Sequence, residues 1–154
     1  MRPLLTLLLL LAASTARAEH PTDPLTCLAQ NIYYEAATEP FAGKVAVGAV
    51  TLNRIAGANP VVSVCGVVYY QKVDPSTGKK VAAFSWTLGS RWRIRGPVDR
   101  KVYSECLWIA DGLLHGRWAA PFGPEVKSYH ASYIPVPWRK RFVVRIGHHL
   151  FYDN

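Results

Sequence analysis

The chain has 154 residues, of which 18 are Lys or Arg and 10 are Asp or Glu, giving a formal charge of +8 at neutral pH. That length supports one domain with a real core and is too short for two. The basic residues are scattered apart from Arg91-Trp92-Arg93-Ile94-Arg95 and Arg139-Lys140-Arg141. No nucleic-acid-binding motif accompanies them, so nucleic acid is not the expected partner.

Arg2, an apolar run from Leu4 to Ala13 and the small-residue site Ala16-Arg17-Ala18 follow the order of a secretory signal peptide, with cleavage expected after Ala18. The run is too short to hold a bilayer as a stable anchor. Pro24-Leu25-Thr26-Cys27 makes a poor lipobox, so a lipid anchor is not expected either. The expectation is a single domain over residues 19–154, exported to the periplasm, cell envelope or medium, and monomeric. Removing residues 1–18 takes away Arg2 and Arg17, leaving 16 basic and 10 acidic residues and a net charge of +6.

Pro24 suits the first position of a helix, with Asp23 or Thr22 as its cap. Leu25, Leu28, Ala29, Ile32 and Ala36 recur at helical spacing and predict one buried face. Pro40 disfavours helical backbone at Glu39, so this helix should end around Thr38. Glu35 therefore falls in the last turn, at the edge of the apolar face. A carboxylate there meets the negative end of the helix dipole in a partly apolar setting, and both raise its pKa. Those conditions suit a carboxylic acid that keeps its proton near neutral pH and donates it. The alternative is an exposed Glu without a role.

Pro40 starts a second helix, Phe41 to about Ile55, in which Gly43, Ala46, Gly48 and Ala49 allow close approach by another element. Gly57-Ala58-Asn59-Pro60 stops it. Val61 to Tyr70 is an apolar segment that packs as a short helical turn or strand. Lys72 to Lys80 reads as a polar surface loop. In Phe84-Ser85-Trp86 we assign Phe84 to the core, and Ser85 and Trp86 to the lining of a cleft, where an aromatic face and a hydroxyl can meet a ligand. Leu88 to Gly96 is an irregular basic loop. Pro97 opens a third long helix to about Leu114, with Val98, Val102, Leu107, Ile109, Ala110 and Leu113 facing the core and Asp99, Glu105 and Asp111 in solvent.

From Val126 the pattern shifts to period two. Val126–Tyr133, Phe142–Ile146 and His149–Tyr152 read as strands, the last two joined as a hairpin at Gly147-His148. Helices first and a small antiparallel sheet last make an α+β fold. Cys27, Cys65 and Cys106 are most simply one disulfide and one buried thiol, with the pair left open. No cysteine-nucleophile signature is present. His115, His130, His148 and His149 lack metal-ligand spacing, so neither metal nor organic cofactor is expected.

Asn31-Ile32-Tyr33-Tyr34-Glu35-Ala36, Glu39-Pro40, Gly43-Lys44-Val45-Ala46-Val47 and Thr51-Leu52-Asn53-Arg54 together resemble cell-wall hydrolases of the spore-cortex-lytic (SleB/CwlJ) type. Val64-Cys65-Gly66-Val67-Val68-Tyr69, Phe84-Ser85-Trp86 and Tyr129-His130-Ala131-Ser132-Tyr133 follow in that family's order. The resemblance spans about Leu25 to Tyr152, and departs from the family's E-A-R-G-E pattern at Ala37 and Thr38. It implies a lysozyme-like or lytic-transglycosylase-like helical core that cleaves peptidoglycan glycan strands, with the single catalytic Glu at Glu35. A basic exported domain also suits this polymer, whose stem peptides carry carboxylates.

The resemblance further implies that the strand carrying His130 and Tyr133 faces the cleft, where either would bond substrate or orient Glu35. Trp138 is a sugar platform or a packed lid, and Tyr34, beside Glu35, joins the candidate substrate contacts. Glu39 is the candidate second carboxylate. With one convincing carboxyl, lytic transglycosylation is the more economical chemistry. Simple hydrolysis and non-catalytic glycan binding remain the alternatives.

Overall fold

The computed structural model describes residues 20–56, 62–89, 94–136 and 139–153. The expected signal peptide, the Gly57–Pro60 stop, Arg91-Trp92-Arg93 and Trp138 lie outside the described residues. Among the described residues, no helix is long and apolar enough to cross a membrane.

Helix α1 (Pro24–Ala36) starts where proline predicts: Asp23 caps it by accepting from the Thr26 backbone N–H. Helix α2 (Phe41–Ile55) follows Pro40, and a short α3 (Val64–Val68) is capped by Ser63. The expected loop over Lys72–Lys80 is instead a small antiparallel hairpin, β1 (Gln71–Val73) with β2 (Lys80–Ala82). Its three-residue strands leave no burial alternation to read from sequence. A 3-10 turn (Ser85–Leu88) leads to α4 (Gly96–Leu114). The chain ends in a three-stranded antiparallel sheet, β3 (Val126–Ala131), β4 (Phe142–Ile146) and β5 (His149–Asp153), with β5 in the middle. This is the expected α+β arrangement.

Helix α1 packs against α2, α3 and α4. Leu28, Ile32, Val45, Ala49, Val68, Ile109 and Leu113 fill the core between them. The opposite face of α2 carries Ala46, Val47 and Val50 against Val126 and Phe151 of the sheet. Helix α2 is therefore buried on both sides from Gly43 to Thr51, and small residues are what make that feasible. A Cβ on Gly48 would stand 2.5 Å from Leu113 Cδ1 and 3.0 Å from Ile32 Cδ1. Gly48→Val should cost about 1–3 kcal/mol by overpacking, read as a lower urea midpoint at unchanged slope.

Two expectations for α4 need correction. Val98 is 75% exposed, because the first turn of α4 projects beyond its neighbours. Glu105 is not simply solvated: it pairs at 2.7 Å with Lys44, which is only 5% exposed. A lysine buried this deeply is retained because its charge is matched. The cysteines resolve as a Cys27–Cys65 disulfide joining α1 to α3, with Cys106 free and buried.

Candidate active site

Glu35 stands in the last turn of α1, where α1, the α1–α2 corner and the sheet meet. It lines an open pocket of about 300 Å³ together with Thr38, Glu39, Ala131, Tyr133, His148 and His149. Burial pushes its carboxyl above the usual range. Two groups pull the other way by favouring the charged form. Tyr129 donates its hydroxyl to Glu35 Oε2 at 3.1 Å, and the Arg54 guanidinium adds positive potential. Burial is the largest of the three, so the carboxyl holds its proton more firmly than a surface Glu.

Each partner is itself fixed. Tyr129, on β3, stays a phenol because burial and the nearby Glu35 carboxyl push its own pKa well up. Arg54, at the end of α2, donates from Nε to the Lys127 carbonyl at 2.9 Å and lies 4.7 Å over the Phe84 ring. Phe84 is buried, as its motif predicted. Tyr129→Phe should move the alkaline limb of kcat/KM to higher pH, since it removes a bond that favours ionised Glu35. A pH–rate profile checks the direction.

Glu39 lines the same pocket but is engaged elsewhere. Its side chain is 4% exposed; Oε2 accepts from the His148 backbone N–H at 2.9 Å, and Oε1 lies 3.0 Å from His148 Nδ1. His149 is 8% exposed, with Nδ1 3.8 Å from Glu39 Oε1 and no hydrogen-bond partner. Burial holds its pKa below the ordinary histidine value, so the ring is neutral near pH 7.

The remaining candidates are placed as follows. Tyr133 lines the pocket and is 78% exposed, with its ring available to a ligand. Tyr34 and Trp86 stack on each other at 4.3 Å, outside the pocket lining. Trp86 Nε1 donates to Asn31 Oδ1 at 3.0 Å, and Asn31 in turn donates to Thr51 Oγ1 at 3.0 Å. This buried relay locks the indole to α1 and α2. Ser85 is exposed at the start of the 3-10 turn. His130 is stacked on Tyr152 and lies 2.9 Å from its hydroxyl, so the strand residue that reaches Glu35 is Tyr129. Sequence reasoning gave no role to Tyr129, Arg54, Asn31, His148 or His149. The first three lie inside the quoted motifs, which was the signal available. Among the described residues, no group of three or more His, Cys, Asp or Glu side chains is arranged to hold a metal.

The chain is similar in fold to the catalytic domain of the germination-specific lytic transglycosylase SleB from Bacillus anthracis. That match has a TM-score of 0.59 and 23% identity, covering 89% of this chain and 99% of that one. The catalytic domain of the Bacillus cereus SleB protein matches with a TM-score of 0.54 and 22% identity, over 90% of this chain and 99% of that one. No curated protein matches the chain. The Cell Wall Hydrolase family matches residues 38–152, a segment that begins just after Glu35 and holds Arg54, Tyr129, Glu39 and the His148–His149 turn. As that match spans well over half of the sequence, the chain belongs to the Cell Wall Hydrolase family.

Proposed function

We propose that the chain is an exported lytic transglycosylase that cleaves peptidoglycan glycan strands, with Glu35 as its acid and then its base. The observation that carries this reading is a carboxyl in the pocket wall whose pKa burial raises, with Tyr129 and Arg54 placed to stabilise its charged form. Glu35 first gives its proton to the glycosidic oxygen as the bond from C1 breaks. The resulting carboxylate, held by the Tyr129 hydroxyl, takes the proton of the muramic 6-hydroxyl. That oxygen bonds to C1 and closes a 1,6-anhydro ring, so the proton is returned and no water is consumed.

Hydrolysis by two carboxyls needs them about 5 Å apart for retention or roughly 6.5–9.5 Å apart for inversion, with the second free to act. Glu39 has both oxygens turned to His148, which supports chemistry by one carboxyl. The fold shared with the Bacillus anthracis lytic transglycosylase supports the same outcome. Tyr133 in the pocket lining and the stacked Tyr34 and Trp86, with Ser85 next to Trp86 in the chain, are the candidate contacts for sugar rings, and His130 on β3 and Trp138 are further candidates. Export through cleavage after Ala18 is supported by the Cys27–Cys65 disulfide, which persists in oxidising compartments.

The test is a digest of purified peptidoglycan by residues 19–154, with products read by mass spectrometry. Anhydro-muramyl ends are expected. Reducing ends would replace this reading with simple hydrolysis, and bound but intact glycan would replace it with a binding module.

A further inference from the structure

Glu39 is a buried carboxylate for which the reaction above has no use, and the structure has made unusual room for it. Its Cβ and Oε2 lie 3.0 Å from where a Cβ on Gly43 would stand. A Cβ on Gly147 would collide with Oε2, and Gly147 has φ +59°, a conformation that suits glycine. Two glycines, one on α2 and one in the β4–β5 turn, thus frame a single carboxylate. Its oxygens reach the backbone N–H and Nδ1 of His148, 109 residues away in sequence. On its other side, the Glu39 backbone N–H donates to the Ala36 carbonyl at 3.0 Å, closing the last turn of the helix that bears Glu35.

We infer that Glu39 is a positioning residue: its carboxylate clasps the β4–β5 turn to the end of α1 and so sets the width of the Glu35 pocket. This rests on the reading of Glu35 as the acid. The turn carries His148 and leads into His149 at the start of β5, both of which line the pocket wall, and the end of α1 carries the proposed proton donor. Loosening the clasp lets the bound sugar shift relative to Glu35. Displacements of about 1 Å cost on the order of 100-fold in turnover. A nucleophile or base would instead need a carboxylate oxygen free to face the substrate.

The experiment compares Glu39→Gln and Glu39→Ala in residues 19–154, using soluble glycan strands. Glutamine keeps an acceptor oxygen for the His148 N–H and the shape of the clasp; it loses the charge assistance of that bond and presents an amide donor, in place of Oε1, to His148 Nδ1. Glu39→Gln is therefore expected to hold kcat within about tenfold, while Glu39→Ala loses about 100-fold in kcat with little change in KM. Equal, severe loss in both would make Glu39 a reacting carboxylate and overturn the inference. A lower melting temperature in Glu39→Ala with normal kcat at low temperature would reduce it to a stability role and also overturn it. Amide exchange at His148, followed by NMR, is an independent readout. Protection should persist in Glu39→Gln and disappear in Glu39→Ala, and protection retained in both would sink the clasp. If the unmutated protein leaves peptidoglycan intact, the proposed activity fails, while exchange at His148 still decides the clasp.

Discussion

Replacing Glu35 with Gln is expected to lower turnover by roughly 100- to 10,000-fold, the range that a positioned general acid supplies, and to leave glycan affinity near its original value. The amide has the size of the acid and still accepts from the Tyr129 hydroxyl, so the pocket keeps its shape. What it lacks is a proton to give. Single-turnover cleavage and equilibrium binding, measured on the same glycan, separate the two effects. Comparable loss of binding would mean that Glu35 holds substrate rather than transferring a proton, and undiminished cleavage would move the chemistry to another residue.

The same substitution carries a stability signature of definite sign. The folded-state pKa of Glu35 is raised by burial, so its protonated form is favoured in the fold. The stability this gives is fully present below the unfolded carboxyl pKa and is lost as pH rises through the raised folded value. Glu35→Gln, which is never charged, escapes that loss. The variant should therefore melt higher than the unmutated protein at neutral pH, and the gap should close toward acid. A gap that widens in acid would contradict the raised pKa. Loss of activity with gain of stability is the mark of a site that keeps a strained ionisation for its chemistry.

What the sequence made legible follows from how local each signal is. Asp23-Pro24 and Glu39-Pro40 set helix starts through covalent restriction of a few residues, and both appear where expected. The sheet strands were readable because period two survives in runs of five or six residues, whereas the three-residue strands of the β1–β2 hairpin have no such pattern. At the site, Glu35 was legible from its place in the last turn. Its partner was not, because neighbouring strand residues face opposite sides and one irregularity reverses the choice. The register of β3 on β5 shifts between Val126 and Ser128, and past that shift Tyr129 lies opposite Phe151 and packs toward α2. Glu39 illustrates the same limit. Its burial depends on Gly43 and Gly147, which sequence separates by about two thirds of the chain, so no local pattern could set it apart from a solvated loop Glu.

Removing the Cys27–Cys65 disulfide, by Cys27→Ser with Cys65→Ser, should cost about 4 kcal/mol on the chain-entropy estimate for its separation of 38 residues. Domains of this size are stable by only about 5–15 kcal/mol, so the loss is a large share of the total. It should lower the melting temperature by about 10 °C or more. The bond ties fully buried Cys27 of α1 to α3, pinning two walls of the helical core. Cys106 does not compensate: it is buried, and desolvation pushes its thiol up to about 12, so it forms little thiolate to exchange. The unmutated protein should lose the same increment in reductant, while the double variant should be indifferent to reductant. Cys27 lies eight residues before Glu35, about 12 Å along the helix at 1.5 Å per residue. The pocket is therefore beyond direct reach of the bond, and turnover well below the melting transition should be unchanged. A double variant that melts normally would show that helix packing alone holds α1 to α3. One that stays folded yet loses turnover would show instead that the position of α3 is felt at Glu35.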